Sequence, residues 1–457
     1  MLCQFRRRFK SPLCAPRCRF PRASAAIERG CYDSAMSFAG HFRSLTRVQR
    51  NTFSACFLGW TLDAFDFFLL TFCLKAIAVT FHVGVKQVAE AVFWTLVMRP
   101  LGAFLFGLMA EKYGRRPTLM LNIVAFSVFE LASAFAPTLH SFLVCRALFG
   151  IAMGGVWGVG AALALETLPR QGRGFFSGLL QEGYVIGNLL AAMLFGLLFP
   201  HLHGTGIFTN WRIMFMIGTL PVVLVFYLRF SVEESPAWLA THEQRTSRKN
   251  RSFSWSILIA EARVLLGYLP IFLFLVVLMA AFTSFSHGTQ DLYPTFLLDH
   301  GLSEGYVGMI AAIGNIGALL GGISYGALSE KFGRRRSIVV AALLAIPIVP
   351  LWAWSHSAAM LAAGGFLMQF MVQGAWGIIP AHLNELSPGP VRAILPGFAY
   401  QLGNLISSRN AVFQEAFAIR HNAGSLSVAL SGTVVVVAIV VAGVTALGPE
   451  AKGADLS

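Results

Sequence analysis

A series of long apolar runs is the feature of this sequence that most restricts how the chain can fold. Each run has about 20 residues or more, the length at which an α-helix crosses the hydrocarbon core of a bilayer. We number the runs spans 1 to 12, and they cover approximately residues 52–80, 87–110, 118–136, 141–165, 173–199, 211–229, 267–298, 304–328, 336–355, 358–384, 391–418 and 424–447. The sequence therefore predicts an all-α membrane protein with twelve transmembrane helices.

The composition is consistent with lipid as the solvent for most of the chain. Of the 457 residues, 56% are hydrophobic and only 12% are charged. This is about half the charged fraction of ordinary soluble proteins, and so few charges cannot cover a water-facing surface. The composition therefore excludes a soluble enzyme, a disordered protein and a disulfide-stapled secreted domain.

Basic residues are concentrated in the gaps that follow even-numbered spans. The gaps after spans 2, 4 and 8 contain Lys112, Arg115, Arg116, Arg170, Arg173, Lys331, Arg334, Arg335 and Arg336. Because Lys and Arg are retained on the cytoplasmic side of membranes, this pattern predicts that these gaps and both termini are cytoplasmic, in a bacterial inner membrane. Topology then accounts for the net charge of +14, and we expect no nucleic-acid partner.

The first residues differ from the rest of the chain. Residues 1–35 contain eight basic residues, against the two acids Glu28 and Asp33, and four of the seven cysteines, whose spacing matches no zinc site. We predict a disordered cytoplasmic tail over residues 1–46, much of which translation from Met36 would remove. A transit peptide is the alternative.

A repeated segment divides the spans into two sets. Residues 107–116, GLMAEKYGRR, recur as residues 326–335, GALSEKFGRR, at an offset of 326 − 107 = 219 residues. The same offset relates Trp157 to Trp376, Glu166 to Glu385, Pro169 to Pro388 and Arg173 to Arg392. We therefore predict two six-helix bundles, 47–230 and 267–448, joined by a cytoplasmic linker, 231–266, and followed by a tail, 449–457. The substrate path should lie between the bundles.

The repeated loop resembles the signature of the major facilitator superfamily, and Arg146-Ala-Leu-Phe-Gly150 resembles its Arg-x-x-x-Gly motif. The resemblance covers nearly everything after residue 47. It implies alternating access by rocking of two halves, without nucleotide hydrolysis or a cofactor, and no GxxxxGK[ST] loop is present. We expect the loop residues and two carboxylates at the ends of spans 4 and 10 to form a conformational latch: Glu111, Gly114, Arg115, Arg116 and Glu166 in the first copy, and Glu330, Gly333, Arg334, Arg335 and Glu385 in the second.

Span 7 is unusually polar for a membrane helix. His287, Asp291 and Thr295 recur every four residues and would form one stripe, with Gln290 beside it. Pro294 cannot donate a backbone hydrogen bond, which leaves the carbonyl of Gln290 free. At this depth such polarity is tolerated where it lines protein or a wet cavity. The alternative is a proline kink whose polar groups satisfy one another.

The same stretch resembles the motif N-x-x-[S/T]-H-x-[S/T]-Q-D-x-x-x-T of lactate and pyruvate proton symporters related to the fungal Jen carriers, within the sialate:proton symporter group. Thr283 replaces the leading Asn. The resemblance assigns the substrate path to Ser286, His287, Thr289, Gln290, Asp291 and Thr295. In span 11, Gln401 and Asn404, three residues apart, resemble the polar pair with which that family binds substrate.

Charged residues inside other spans suggest further roles. Asp63 and Asp66 share a face of span 1, and Arg99 lies in span 2, so we expect an acid–arginine pair that is either structural or part of proton coupling. The two aspartates lack a third metal ligand, and we predict no metal. Arg99, Arg146 and Arg409 are the candidate partners of a substrate carboxylate, with a snorkelling anchor as the alternative for Arg409.

Together these features predict a monomeric, proton-coupled importer of small monocarboxylates such as lactate and pyruvate. The proton-coupling candidates are Asp291, His287, Asp63 and Asp66. A related interpretation keeps the mechanism and changes the substrate to sialic acid. Few polar residues and six aromatic residues near the path favour the smaller substrate: Phe175, Phe176, Tyr184, Phe282, Phe285 and Tyr293.

Two other classes of protein fit less well. A membrane enzyme needs a nucleophile with a base or a metal cluster, and only His287 with Asp291 offers part of one. A sensor usually has a sizeable soluble output domain, and the linker 231–266 is too short for one. The expected partners are therefore a small anionic substrate, protons and the lipid bilayer.

Overall fold

The computed structural model describes residues 38–202, 204, 208–240, 267–421 and 426–456. All regular elements among these residues are helices, which confirms the predicted fold class. The predicted tail up to residue 37 and most of the predicted linker, 241–266, lie outside the described residues. Within the tail, where disorder was predicted, Phe38–Arg43 forms a short helix.

The helices of the spans begin and end within a few residues of the predicted bounds. They are Arg47–Phe81 (span 1), Val85–Tyr113 (2), Arg115–Ala134 (3), Leu139–Gly154 with Val156–Thr167 (4), Arg173–Gln181 with Gly183–Leu198 (5), Asn210–Ile217 with Leu224–Ser231 (6), Leu269–Gln290 with Tyr293–Asp299 (7), Glu304–Phe332 (8), Arg334–Leu344 with Val349–Ala353 (9), Ala358–Leu386 (10), Leu395–Ser407 with Asn410–His421 (11) and Leu426–Leu447 (12). Short 3₁₀ turns occupy Phe199–His201, Leu220–Val223, Ile346–Ile348 and Gly389–Val391.

Span 11 is the predicted span that is not among the helices long and apolar enough to cross a membrane. In the described part of the chain, eleven spans are long and apolar enough to cross a membrane. Span 11 consists of helices of 13 and 12 residues, separated at Ser408 and Arg409. Each half is too short to cross a bilayer alone, so the broken helix can span only as a whole.

The helix bounds reproduce the sequence repeat. Spans 2 and 8 begin at residues 85 and 304 and end at residues 113 and 332, so both ends differ by 219. Spans 4 and 10 begin at residues 139 and 358 and end at residues 167 and 386, again 219 apart. The structure therefore confirms two copies of one six-helix unit. We call the end of the bundle that carries the loops between spans 2 and 3 and between spans 8 and 9 the basic side.

Glycines bring neighbouring helices into backbone contact inside each copy. In span 8, a Cβ at Gly317 would collide with the carbonyl oxygen of Phe366 in span 10, and one at Gly321 with that of Phe370. Span 4 meets span 2 in the same way at Gly150. Since lipid supplies no hydrophobic force between helices, this close packing is what holds them together.

We expect Gly321→Ala to lower the apparent Tm of the purified protein in detergent, because the added methyl group has no space beside the Phe370 carbonyl. The loss should be about 1–3 kcal/mol. Gly308→Ala in the same helix is the matched control, since nothing lies within 4 Å of its Cβ position. The control should be neutral or stabilising by up to about 1 kcal/mol. Equal Tm values for the two variants would contradict this packing argument.

Candidate functional site

A cavity of about 230 Å³ lies between the two six-helix copies. Spans 1, 5, 7, 8, 10 and 11 form its wall, and ten of the sixteen lining residues are Gln, Asn, Ser, Thr, His or Asp. The lining residues that the sequence analysis had assigned to the substrate path are Ser286, His287, Gln290, Asp291 and Asn404, and Thr283, which replaces the leading Asn of the motif, lies beside them. The structure thus gathers most of the predicted path around one space.

The cavity is closed toward the basic side by aromatic rings. Trp376 and Tyr400 belong to its wall, with ring centroids 5.6 Å apart, and Trp157 lies 4.8 Å from Tyr400. Beneath these rings the two copies touch through backbone, because a Cβ at Gly178 of span 5 would collide with the carbonyl of Gly322 in span 8. The lining residues therefore lie between these rings and the end of the bundle opposite the basic side.

A break in span 7 places its polar residues at the cavity. The first helix ends at Gln290, and Pro294 stands in the first turn of the second helix. His287 Nδ1 lies 3.1 Å from Asp291 Oδ1, and these side chains are 41% and 38% exposed. Thr295 is exposed in the second helix and is not part of the cavity wall. The predicted stripe is therefore interrupted before Thr295, because the helix does not continue through Asp291.

Amides of span 10 hold the polar face of span 7. Gln290 Nε2 donates to Gln369 Oε1 at 2.8 Å, and Gln373 Nε2 donates to Ser286 Oγ at 3.3 Å. Thr289 is buried and accepts from Gln369 Nε2 at 3.4 Å, so it faces span 10 rather than the cavity. These bonds fix the orientation of span 7.

The polar pair of span 11 is divided between wall and interior. Asn404 lines the cavity and donates through Nδ2 to Gln401 Oε1 at 3.2 Å. Gln401 is 1% exposed and is not a lining residue. In this conformation only Asn404 of the pair can reach a bound molecule directly.

Several lining residues escaped the sequence analysis. They are four amides on three spans: Gln181 and Asn188 on span 5, Asn315 on span 8 and Gln373 on span 10. One or two amides in an otherwise apolar span give too short a spacing pattern to predict a cavity. Whether such an amide faces a cavity depends on how its helix is rotated about its axis.

Arg99 forms the predicted acid–arginine pair. Its Nη2 lies 3.8 Å from Asp63 Oδ2, with side-chain exposures of 4% and 0%. Arg99 is also close enough to Tyr184 and Tyr400, both in the cavity wall, to interact with them electrostatically. It therefore lies behind the wall rather than in it.

Arg146 and Arg409 also lie away from the cavity. Arg146 pairs with Glu130 at 2.5 Å, and both side chains are fully buried within the first copy. Its guanidinium stacks 3.9 Å above the ring of Phe149. Arg409 is exposed at the break in span 11. Neither is placed to contact a molecule in the cavity in this conformation.

Most of the aromatic residues that the sequence analysis placed near the path do not line the cavity. Of the six predicted aromatic residues, Tyr184 alone is among the residues that line the cavity. Phe282 packs edge-on against Trp376, and Tyr293 stacks on Trp352, away from the cavity. The expectation of few polar residues and six aromatic residues at the path therefore does not match this cavity, because most of these rings pack between helices.

In the first copy, three residues of the predicted latch contact each other. Arg115 Nε lies 3.2 Å from Glu166 Oε2, and Arg115 Nη1 lies 3.2 Å from Glu111 Oε2. Arg116 donates instead to backbone carbonyls at the end of span 6, with Nε 3.1 Å from the Leu228 oxygen. Gly114 has φ 108°, a conformation that favours glycine and allows the sharp turn between spans 2 and 3.

The second copy repeats this arrangement. Arg334 Nε lies 3.0 Å from Glu385 Oε2, and Arg334 Nη2 lies 2.9 Å from Glu330 Oε1. Arg335 Nη1 donates to the Gly448 oxygen at 2.8 Å, and Gly333 has φ 94°. The carboxylates at the ends of spans 4 and 10 thus pair with the basic loops, as predicted.

An acid beyond the last span of each copy caps the helix that follows the loop. Glu234 accepts from the N–H groups of Arg115 and Arg116 at 3.0 and 3.1 Å, and Glu450 accepts from that of Arg335 at 3.0 Å. A carboxylate there satisfies free N–H groups and the positive end of the helix dipole. Burial raises the pKa of Glu234, and the hydrogen bonds from backbone N–H groups oppose that rise.

The same carboxylates connect the two copies. Arg173 Nη1 of span 5 lies 3.6 Å from Glu385 Oε1, and Arg392 Nη1 lies 4.0 Å from Glu166 Oε1. Residues 173 and 392, and residues 166 and 385, are each 219 apart. The ion pairs across the interface therefore obey the symmetry of the repeat.

Hydrogen bonds from backbone N–H groups follow the same symmetry. The N–H of Ala393 donates to Glu111 Oε1 at 2.9 Å, and the N–H of Gly174 donates to Glu330 Oε1. These donors and acceptors are again 219 residues apart. Each latch carboxylate thus serves its own copy and the other one, which closes the basic side.

The residues after span 12 add to this closure. Arg392 Nη1 donates to the Leu456 oxygen at 2.8 Å, and Arg173 Nη1 donates to the Ala454 oxygen at 3.1 Å. Leu456 is 1% exposed. Ala454 and Leu456 of the predicted tail therefore contact both copies.

Comparison with known proteins agrees with this architecture. Residues 56–408 match the Major Facilitator Superfamily. The chain is 30% identical over 396 residues to a "Carboxylic acid transporter protein homolog" of Saccharomyces cerevisiae, over 83% of this chain and 63% of that protein. It is 27% identical over 368 residues to the "Sialic acid transporter NanX" of Escherichia coli, over 79% and 85% of the two chains. The solved structure of the proton:xylose symporter XylE shares the fold, with a TM-score of 0.68 at 18% identity, over 90% of this chain and 98% of that one.

Glu385→Gln removes the carboxylate that Arg334 and Arg173 share across the latch. We expect the closed form of the basic side to lose about 1.4 kcal/mol relative to the open form, a tenfold shift. The reporter is a cysteine at Ala381, which is fully buried and donates its N–H to Ser177 Oγ of the other copy, in a chain without its native cysteines. Its rate of modification by a water-soluble maleimide should rise about tenfold.

Asp299→Asn is the matched control for this change. It is also an acid-to-amide substitution, but Asp299 is exposed at the end of span 7 away from the basic side. The control should leave the modification rate unchanged. A rate in Glu385→Gln equal to that of the control would show that the shared carboxylate does not hold the basic side closed.

Proposed function

The chain belongs to the major facilitator superfamily, and on this premise we propose that it is a secondary transporter that carries small organic anions together with protons across a bacterial inner membrane. The observation that carries the proposal is the polar cavity between the two copies, with the contacting His287 and Asp291 in its wall. With the basic side in the cytoplasm, this conformation is closed toward the cytoplasm and its cavity lies on the outer side.

Transport would follow from rocking of the two copies about the cavity. The contacts that close the basic side are ion pairs, hydrogen bonds and glycine contacts between the copies. When they separate, the cavity would open to the cytoplasm and the outer ends would approach each other. The substrate then crosses without a continuous pore.

The charges around the cavity support coupling to protons. Among the described residues that line it, none is Lys or Arg, and Asp291 is an acid. An organic anion therefore meets no permanent cation there. A protonated His287, held by Asp291, supplies the positive charge, so anion and proton bind more favourably together than separately. This mutual preference is the coupling that a symporter needs.

A buried cluster in the first copy supports a second protonation site. Three carboxylates, Asp63, Asp66 and Glu130, lie with two guanidiniums, Arg99 and Arg146, and the oxygens of Asp66 have no hydrogen-bond partner. An unpaired charge at this depth is costly, so the cluster retains one proton. Because Arg99 also lies behind the cavity wall, substrate binding can influence that proton.

Small monocarboxylates such as lactate and pyruvate are the first candidate substrates. The resemblance of span 7 to lactate and pyruvate symporters supports this choice, as does the similarity to a yeast carboxylic acid transporter homolog. Gln290 and Asn404 offer neutral donors for a carboxylate or hydroxyl group, beside the charge on His287.

Sialic acid is the second candidate, and the polarity of the wall favours it. Ten polar lining side chains exceed what a three-carbon acid can engage, whereas a polyhydroxylated sugar acid could bond to many of them. The similarity to a sialic acid transporter points the same way. With a smaller substrate, ordered water would satisfy the remaining amides.

Asp291→Asn should abolish accumulation of substrate driven by a proton gradient, because the amide cannot stabilise the charged His287. In proteoliposomes with an imposed difference of one pH unit, the unmodified protein should accumulate labelled lactate about tenfold at one proton per anion. The variant should reach no more than equal concentrations. Asp299→Asn, an exposed acid on the same span, should accumulate lactate normally. Normal accumulation by Asp291→Asn would disprove this role of the His287–Asp291 pair.

Competition for uptake distinguishes the two candidate substrates. If the site binds small monocarboxylates, excess pyruvate or acetate should suppress uptake of labelled lactate, while the same concentration of sialate leaves it unchanged. The measurement is the initial rate of uptake into proteoliposomes under a fixed proton gradient. Suppression by sialate, with none by pyruvate, would reverse the order of the two candidates.

A further inference from the structure

Glu182 is a buried carboxyl that the proposed coupling does not use. It lies in span 5 at the junction between the helices Arg173–Gln181 and Gly183–Leu198. The residue is 1% exposed, and neither carboxyl oxygen has a hydrogen-bond partner. An ionised carboxylate in such surroundings costs several kcal/mol, so in this conformation Glu182 carries a proton.

The carboxyl lies at the interface between the two copies. A Cβ at Gly322 of span 8 would collide with Glu182 Oε1, so the absence of a side chain at Gly322 makes room for the acid. Gly322 stands one helical turn closer to the basic side than Ala318, which lines the cavity. Glu182 is thus enclosed by the span 5–span 8 contact that separates the cavity from the basic side.

The neighbouring elements provide no charge to compensate Glu182. Among the described residues, no basic side chain forms an ion pair with Glu182 and no donor reaches either of its carboxyl oxygens. Beside it on span 1, Trp60 and Thr61 contact the position of Gly183. At the repeat-equivalent position, 182 + 219 = 401, stands Gln401, a neutral amide of similar shape. The second copy thus buries at this place a group that cannot ionise.

We propose that Glu182 is a proton-binding site that controls closure of the basic side: the protonated acid permits spans 5 and 8 to close, and ionisation holds them apart. When the copies separate on the basic side, water reaches the carboxyl and the proton leaves to that compartment. Closure requires that one proton return to the same oxygen from the same side. The proton is taken up and released on one side, so Glu182 changes the rate of cycling and not the number of protons transported.

This inference deepens the proposed function, since it assumes that the two copies separate on the basic side during transport. It assigns a different role to each acid. Asp291 couples the proton to the substrate, whereas Glu182 makes the conformational step sensitive to pH in the compartment on the basic side. The two roles therefore predict separate defects.

The experiment measures how pH changes access to the basic side. A cysteine at Ala381, in a chain without its native cysteines, is modified by a maleimide at pH 6 and pH 8, with rates corrected for thiol ionisation by a free-thiol standard. Ionisation of one acid on opening shifts the equilibrium tenfold per pH unit, so the corrected rate should rise by up to about a hundredfold. In Glu182→Gln the rise should disappear, and in Glu182→Asp, which still ionises, it should persist.

A neutral apolar variant, Glu182→Met, provides a second test if the amide variant does not fold. It too should lack the rise with pH. His382 of span 10, fully buried and without a hydrogen-bond partner, would produce the opposite slope, because protonation at low pH would favour its hydration. A rise that persists in both neutral variants, or a slope of the opposite sign in the unmodified protein, would overturn the proposal.

Transport measurements separate this inference from the proposed function. Glu182→Gln should still accumulate lactate about tenfold per pH unit, because it leaves the coupled proton intact. If the unmodified protein shows no gradient-driven uptake, the proposed function fails while the labelling experiment still tests Glu182. If Glu182→Gln loses accumulation but keeps exchange, Glu182 carries the coupled proton and the proposed role in closure is wrong.

Discussion

The cost of an unpaired charge in a low-dielectric interior determines where the ionisable side chains of this protein lie. Arg146 is buried against Glu130 and stacked on Phe149, and Arg99 faces Asp63. The acids and arginines of the latch form shared pairs at the basic side. His287 and Asp291 keep partial exposure to the cavity, which removes most of the cost. Helix packing and function both depend on this arrangement of paired charges.

The duplication of the six-helix unit explains why the contacts that close the basic side come in symmetric pairs. A carboxylate that pairs with the loop of its own copy also meets a basic residue of the other copy, so each interaction occurs twice around a pseudo-twofold axis. Backbone contacts at glycines fill the interface between these pairs. Apart from the aromatic contact between Trp157 and Tyr400, the contacts described across this interface consist of backbone and of charges that water can solvate. Most of the interface can therefore separate without leaving large side chains in empty sockets.

Local patterns in the sequence were sufficient to predict most of the architecture. Apolar length, the distribution of basic residues and the 219-residue offset gave the spans, the repeat and the pairing of Glu166 and Glu385 with the basic loops. They could not predict that Glu130 is the partner of Arg146, or that Thr295 lies beyond a helix break. Such facts depend on how each helix is rotated and where it is interrupted. Both the rotation of a helix and the position of its break depend on packing against residues that are distant in the sequence.

The contacts that Ala454 and Leu456 make after span 12 affect how this protein can be handled in the laboratory. Leu456 is buried, and the segment contacts Arg173 of one copy and Arg392 of the other. An affinity tag or fluorescent protein fused directly after Ser457 would therefore begin two residues beyond the buried Leu456. The fused protein would pull on the segment that contacts both copies at the closed basic side. A cleavable fusion with a long flexible linker is therefore the safer design.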